Sequence, residues 1–152
     1  MSDQNNHSED IIYLIKCLDK ELAKDFDRRL AEFGLTGQQG RLLFFIYCQT
    51  HHEGNIVHQN DIEKTFLLSK STVSGLVDRL VKKELIERVI ESPYVSLVVT
   101  QKGADIVESI RKNKNQTIKK LTQNLSDEEV QRMIQNIKLL INNIKEEEEN
   151  AK

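Results

Sequence analysis

The stretch "LLSKSTVSGLVDRLVKKELIER", which runs from Leu67 to Arg88, decides the fold of this 152-residue chain. It opens with hydroxyl and lysine side chains and then places apolar residues at steps of three and four. Serine and threonine are poor residues inside a helix but good ones at its start, where their oxygens accept hydrogen bonds from free N–H groups. We therefore predict a helix that is capped by Ser69, reaches about Lys83 and buries one face, formed by Val73, Leu76, Val77, Leu80 and Val81.

The segments on either side of this helix extend it into a larger motif. Residues 59–66 predict a short helix and residues 67–68 a tight apolar turn, so that the two helices form a helix-turn-helix. A very short strand is predicted just before them, at residues 56–57. Residues 85–90 and 94–100 are rich in β-branched side chains and are separated only by "ESP", which predicts a β-hairpin, or wing.

Long amphipathic helices are predicted outside this central region. The first runs from Asp10 to Phe33, and a second, capped by Thr36 and apolar nearly all round, is predicted to lie in the core. Two more begin at Gln101 and after Ser126, and the tail "KEEEENAK" is predicted to be a solvated, frayed end. The apolar seams of the first and last helices are longer than the central region can cover, which predicts a two-fold dimer.

The composition limits the classes of function. Twenty-two basic and 24 acidic residues leave a formal net charge of −2, so any surface that binds nucleic acid must be a local patch. No apolar run approaches the roughly 20 residues needed to span a bilayer, and the polar, acidic N-terminus does not resemble a secretory signal. Two cysteines without close spacing indicate a reducing compartment, and we expect a cytoplasmic protein.

The exposed face of the predicted helix at 69–83 has the chemistry of a nucleic-acid contact. Helix N-termini attract phosphate because their N–H groups are free and the helix dipole is positive there. The hydroxyls of Ser71, Thr72 and Ser74 can bond to phosphates or base edges, and Lys70 adds a counterion-releasing charge. In helix-turn-helix proteins these N-terminal residues enter the major groove. Taken alone, Ser69 is better explained as a simple cap, and it is the combination of elements that favours a contact with nucleic acid.

At these residues the sequence resembles the MarR family of bacterial winged helix-turn-helix regulators. The similarity covers nearly the whole chain and includes "LTGQQGRLLFFIY", "STVSGLVDRLVKKELIER" and "LVVTQKG". It implies a homodimeric transcriptional regulator, most often a repressor, that binds a pseudo-palindromic operator in double-stranded DNA and is released by a small amphipathic or phenolic effector. By position, it implies DNA contacts from Gln59, Asn60, Ser69, Lys70, Ser71, Thr72, Ser74, Arg79, Lys82 and Arg88.

The predicted fold class is therefore mainly α, a winged helix-turn-helix with N- and C-terminal dimerisation helices. We predict a single MarR-like domain over residues 1–152, in which residues 36–100 form the DNA-binding region. The dimerisation helices are predicted at residues 8–34 and 101–146. The first, fifth and sixth helices are expected to pair across the two-fold axis, as the resemblance implies.

Two features depart from the family pattern. Gly75 stands where relatives often carry a long polar or basic side chain, and the wing tip "ESPY" is short and has no basic residue. This wing motivates a second hypothesis, namely a protein-interaction module on the same fold with weak or lost DNA binding. An enzyme is not expected, because no Gly-rich phosphate loop and no nucleophile with a partnered base can be recognised, and no catalytic residue is assigned.

The signals for an effector, a metal or a redox response are weak. Four aromatic residues are candidates for an apolar effector cleft, although aromatic residues at helical spacing more often belong to the core; they are Tyr13, Phe44, Phe45 and Tyr47. Arg41 is a candidate for an anionic ligand, although an arginine is more often simply solvated. A metal- or redox-responsive regulator is the remaining alternative. It is suggested by Cys17 and by the metal-compatible spacing of Cys48, His51, His52 and His58. Histidines at helix ends are commonly solvated, and we predict neither a metal site nor a cofactor.

Overall fold

The structure is a computed structural model and describes residues 10–151. It contains six helices and three strands within those residues, in the order α1 (Ile11–Ala31), α2 (Gly37–His51), β1 (Val57–His58), α3 (Gln59–Phe66), α4 (Lys70–Lys82), β2 (Ile86–Glu91), β3 (Tyr94–Val99), α5 (Gln101–Leu121) and α6 (Asp127–Asn150). The chain divides into two compact units, Met1–Asn113 and Lys114–Lys152, and the division falls inside α5. Each unit is described by itself below.

The helix starts predicted from the sequence are confirmed by their caps. Thr36 and Ser126 each form a capping box with the residue three positions on, which satisfies N–H groups at the starts of α2 and α6. The Ser69 hydroxyl accepts a hydrogen bond of 3.2 Å from the Thr72 N–H at the start of α4. At the start of α5, the hydroxyl of Thr100 accepts a hydrogen bond of 3.1 Å from the backbone N–H of Gly103.

The turn between α3 and α4 and the wing also follow the prediction. Leu67 ends α3 in the left-handed conformation, with a φ of 53°, and the next N–H bonds back to Glu63 O at 3.1 Å. This compact turn brings α3 and α4 together as a helix-turn-helix. The three strands form an antiparallel sheet in the order β1-β3-β2, in which Leu97 lies opposite both Val57 and Arg88.

The core of the first unit lies between α2, α4 and the sheet. From α4 it takes the apolar face that the sequence predicted, with Val81 half-buried beside four buried residues. From α2 it takes Leu42, Leu43, Ile46 and Tyr47, in agreement with the prediction that this helix is central. Two edge-to-face aromatic pairs pack against this core, Phe26 with Phe44 and Phe45 with Phe66. The ring centroids in each pair are 5.4 Å apart.

Several predicted boundaries are wrong, among them the start of β2, which is Ile86 rather than residue 85. The predicted frayed tail is helical, because α6 continues through Asn150 and the Ala151 N–H still bonds to Glu147 O at 3.1 Å. Glutamates are good helix formers, and the tail extends a helix that already begins at Asp127, so no new helix has to be nucleated. Helix α1 ends at Ala31 rather than Phe33, and β1 lies one residue later than predicted. The end of a helix or strand is set by its last backbone hydrogen bonds. Residue types predict those bonds only to within one or two positions, which explains these shifts.

Both units leave apolar surface exposed. In the first unit the N-terminal half of α1 exposes a helical stripe, consisting of Ile11, Leu14, Ile15, Leu18 and Leu22. In the second unit no residue of α6 is buried, and its exposed apolar residues are Met133, Ile134, Ile137, Leu139, Leu140, Ile141 and Ile144. Within residues 10–151, every helix is too short or too polar to cross a lipid bilayer.

Candidate nucleic-acid interface

The outer face of α4 is opposite its buried face and is almost entirely polar. Ser71, Gly75, Asp78 and Lys82 follow each other at steps of four, three and four, so they lie on one stripe along the helix. Ser71, Asp78 and Lys82 are exposed, and Gly75 is half-buried. Because the other face is held in the core, this stripe is the surface that α4 offers to a partner.

Three hydroxyls meet at the start of α4. The Ser69 hydroxyl lies 2.8 Å from the Thr72 hydroxyl and 3.2 Å from the Ser71 hydroxyl, and all three residues are exposed. A hydroxyl can both donate and accept, so this group can reorient its hydrogen atoms toward an incoming acceptor. The positive end of the helix dipole lies in the same first turn, which favours an anionic partner.

Of the basic residues predicted to contact DNA, three are free and one is engaged. Lys70, Arg79 and Lys82 form no ion pair with any residue in the described range 10–151, and all three are exposed. Arg88 of β2 instead donates a short hydrogen bond to Asp78 of α4. This pair ties the wing to α4 and neutralises the only acidic residue on the outward stripe.

The start of α3 places Gln59 and Asn60 in its first turn, as predicted. Asn60 is exposed and Gln59 is half-buried. The Asp61 carboxylate accepts a hydrogen bond of 2.8 Å from the His58 N–H and therefore occupies part of the N-terminal end of this helix. Amide side chains here have the chemistry for phosphate contacts, although the carboxylate lowers the positive potential of the turn.

The wing has a different surface from α4. Its strands join at residues 92–93, and Ile90 and Tyr94 beside this turn are 74% and 69% exposed. Glu87 and Glu91 are also exposed, and Arg88, the basic residue of the hairpin, is paired with Asp78. The hairpin tip is thus apolar and acidic, which agrees with the departure seen in the sequence.

The residues considered for sensing are placed in separate surroundings. Phe44 and Phe45 pack in the core, and the Tyr47 hydroxyl donates a short hydrogen bond to the Glu108 carboxylate. That hydrogen bond, together with burial and the charge of Glu108, raises the pKa of Tyr47. Arg41 lies 4.0 Å from the Asp27 carboxylate, at the rim of a small hollow.

The candidate metal and redox residues do not converge. Cys17 and Cys48 are both free thiols and half-buried. His51 stacks on the Tyr47 ring at 4.3 Å, and His52 Nε2 lies 2.7 Å from Arg111 Nη1. Within residues 10–151, no three His, Cys, Asp or Glu side chains are arranged to hold a metal ion.

Residues 33–94, which contain the helix-turn-helix and most of the wing, match the family model described as "MarR family". Over this part of its length the chain is similar to the MarR family. This result confirms the predicted mainly α, winged helix-turn-helix fold, and members of the family are DNA-binding transcription regulators rather than enzymes.

Solved structures of MepR and MarR match most of the chain. A crystal structure of MepR, a regulator of the Staphylococcus aureus multidrug efflux pump MepA, is 27% identical, covers 89% of this chain and 98% of its own, and has a TM-score of 0.76. A MepR–DNA complex is 26% identical, with coverages of 91% and 99% and a TM-score of 0.67. The oxidised form of Escherichia coli MarR shares the fold at 22% identity, with coverages of 87% and 94% and a TM-score of 0.71. The search of curated proteins found no match.

Asp78 is the interface residue that the sequence did not identify as functional. Its side chain is ten residues from Arg88 along the chain, and the turn from α4 into β2 brings the two together. The sequence indicated only that Asp78 lies on the solvent face of the helix.

Proposed function

We propose that this protein is a homodimeric, sequence-specific DNA-binding regulator that represses transcription and is released by a small amphipathic or phenolic effector. The observation that carries the proposal is the exposed surface of α4. Exposed hydroxyls and Lys70 stand in its first turn, Arg79 and Lys82 follow further along, and none of these three cations has an ion pair within residues 10–151. The MepR–DNA complex, a 26% identical relative of the same fold, supports a DNA partner. We also propose a cytoplasmic location, because a bacterial transcriptional repressor meets its operator there.

The side chains divide into two roles on the duplex. Lys70, Lys82 and Asn60 have the chemistry and the exposure to hold phosphates and set the register of the protein, and we assign the same role to the half-buried Gln59. Base edges are read by hydroxyls and by guanidinium groups, a role that we assign to Ser71, Thr72, Ser74 and Arg79. Ser69 supports this face as the cap of α4, and Arg88 supports it by holding Asp78.

The dimer is supported by the apolar surface that each unit leaves open. Ile15 and Leu18 of α1 are 51% and 43% exposed, and Ile137 and Ile141 of α6 are 47% and 49% exposed. Contiguous apolar patches of this kind mark interfaces in soluble proteins. A two-fold dimer formed through residues 8–34 and 101–146 would bury them. It would also present two copies of α4 to the two halves of a pseudo-palindromic operator.

The effector is supported by a hollow between α2 and the helix-turn-helix. Its volume is about 200 Å³, and its apolar wall includes Ile62, Phe66 and Leu76, with Gln38 and Arg41 also lining it. An apolar wall with a cation beside it suits a small amphipathic anion. Because both helices of the reading motif contribute to this wall, a bound effector can alter their spacing.

Selection from a random duplex pool tests the proposal. The wild-type protein should enrich a motif with two-fold symmetry, and binding should weaken steeply with salt. Lys70→Ala removes one phosphate contact from each protomer, and the slope of log K against log salt should fall by about 1.8 in the dimer, at 0.9 per contact. Lys112→Ala removes an exposed lysine of α5 that has no ion pair within residues 10–151, and it is the matched control when sedimentation equilibrium shows its dimer to be unchanged.

Ser71→Ala separates base reading from phosphate binding. It should change the preferred bases of the enriched motif and leave the salt slope as it is. If neither Lys70→Ala nor Ser71→Ala affects binding to the enriched duplex, α4 is not the reading helix.

The acidic, apolar wing favours one second candidate, a protein-interaction module that has lost tight DNA binding. Exposed Ile90 and Tyr94 beside Glu91 would suit a protein surface better than a phosphate backbone. The same selection decides between the two functions, since enrichment of a two-fold motif rules out the module.

A further inference from the structure

Gly75 lies on the outward stripe of α4, one turn beyond Ser71. We propose that it is a positioning residue. Its missing side chain lets the α4 backbone approach the base edges of the major groove more closely than any other residue would allow. This inference rests on the proposed function. It adds to that function a statement of how deeply α4 enters the major groove.

No contact within residues 10–151 requires a glycine at this position. Gly75 has ordinary helical backbone, since the glycines with positive φ within residues 10–151 are Gly34 and Gly54. A Cβ built on Gly75 would meet only one heavy atom within 4 Å, the Arg79 Nη1 at 4.0 Å, which is the far end of a flexible exposed side chain.

The other glycines inside helices have a packing reason. A Cβ on Gly40 would lie 2.9 Å from Leu30 Cγ, and a Cβ on Gly103 would lie 2.8 Å from Val99 Cγ1. Both would collide with their neighbours, so α1 and the sheet can approach these helices only because the side chain is absent. Gly75 has the same small size but faces open space.

A glycine in a helix interior is unfavourable relative to alanine because its backbone loses more conformational freedom on folding. At Gly40 and Gly103 close packing within the chain offsets that penalty. At Gly75 no contact within the chain does so, and the face is the one that meets the partner. Glycine is the residue that allows a backbone to approach a ligand closely, so we assign the close contact to the bound duplex.

The neighbouring side chains indicate what the close approach achieves. The free Arg79 guanidinium lies next to the space above Gly75, and Ser71 lies one turn before it. With the helix seated deeply, the short Ser71 hydroxyl reaches a base edge directly. Arg79 can then lie along the helix and place two N–H donors against the O6 and N7 atoms of a guanine. A side chain at position 75 would hold the helix away and block this path.

Gly75→Ala is the decisive variant because stability and binding should change in opposite directions. Replacing an unconstrained helical glycine should raise Tm by about 2–4 °C in a chain of this size. The same methyl group, present twice in the dimer, should weaken binding to the selected operator by about tenfold or more, since a good base contact is worth at least this much. Gly75→Gln should weaken binding further.

Two further variants serve as controls. Thr65→Ala, at an exposed position of α3 to which no DNA contact is assigned, also replaces a weaker helix former by alanine and should leave operator affinity unchanged. Arg79→Lys keeps the charge but loses the planar fork, so a new selection with this variant should lose the preference for guanine at one position in each half-site.

The outcomes separate the two proposals. If the wild-type protein enriches no duplex motif, the proposed function is wrong and this inference is overturned with it. If the wild-type protein enriches a motif that Gly75→Ala binds equally well, only the inference is overturned. A fall in the Tm of Gly75→Ala would also overturn it, because the glycine would then be required by the fold itself.

Discussion

Gly103→Ala should destabilise the fold, because the added methyl group would clash with the backbone that packs against the start of α5. The glycine is buried in the first turn of α5. An added Cβ would overlap the Leu85 carbonyl oxygen and lie 3.1 Å from the carbonyl carbon of the same residue and 2.8 Å from Val99 Cγ1. Both carbonyl atoms belong to the backbone, so a change of side-chain rotamer cannot relieve the collision. The start of α5 would have to move away from the sheet.

That movement is resisted by two hydrogen bonds at the same point. The Thr100 N–H donates to Leu85 O at 3.0 Å, and the Thr100 hydroxyl donates to Glu84 O at 2.6 Å. Overpacking costs about 1–3 kcal/mol, and each weakened hydrogen bond adds up to about 1 kcal/mol. The higher helix propensity of alanine returns at most about 1 kcal/mol. We therefore expect a net loss of about 1–3 kcal/mol in the free energy of unfolding.

The assay is thermal unfolding followed by circular dichroism, at one fixed protein concentration because a dimer makes Tm concentration-dependent. A loss of this size lowers Tm by about 2–12 °C, at 2–4 °C per kcal/mol. Gly75→Ala is the matched control, since the same substitution at an open position should raise Tm. A Gly103→Ala protein as stable as the wild type would show that α5 does not lie this close to Leu85, and the reasoning would be refuted.

Three further changes test other parts of the structure. Tyr47→Phe removes the hydrogen bond to Glu108 and should lower the free energy of unfolding by about 1 kcal/mol at pH 7 in urea titrations. Because the pKa of Tyr47 is raised by this hydrogen bond, by burial and by the charge of Glu108, the difference from wild type should be complete below about pH 10. It should disappear as the pH rises through the raised pKa. Ser69→Ala removes the cap of α4 and should cost about 1 kcal/mol in the same titration, whereas Ser69→Asp should retain most of the stability. Ile137→Glu places a charge on the exposed seam of α6 and should yield monomers in sedimentation equilibrium without lost helicity; a dimer of unchanged affinity would exclude this seam from the interface.

Much of the fold could be predicted from the sequence because its signals are local. The apolar steps of α4 and the Thr36 and Ser126 capping boxes depend on residues at most a few positions apart, and the structure confirms them. The order of a short helix, a tight turn, a capped helix and a hairpin then sufficed to identify the winged helix-turn-helix. The ends of elements were less certain because the last turn of a helix depends on its hydrogen-bond partners.

The candidate site was predicted in part. The position and exposure of the hydroxyls at the start of α4 could be predicted because serine and threonine favour the start of a helix, and their contact with DNA stays a prediction. The engagement of Arg88 could not, because its partner Asp78 lies on another element and only the turn at the end of α4 brings the two together. A basic residue that was predicted for DNA is thus already paired within the protein, although the duplex can still compete for it.

The glycines show most clearly where sequence reasoning ends. Gly75 and Gly103 are each one small residue inside a helical pattern, and both patterns correctly predict helix. One of them faces open space and the other lies against the backbone at Leu85. Periodicity and capping depend only on residues that are close together along the chain. The sequence alone therefore determines which segments are helices and which face each one buries. The distance between two segments depends on how the whole core packs, and so only the folded chain reveals which glycine is structural and which is free to serve a partner.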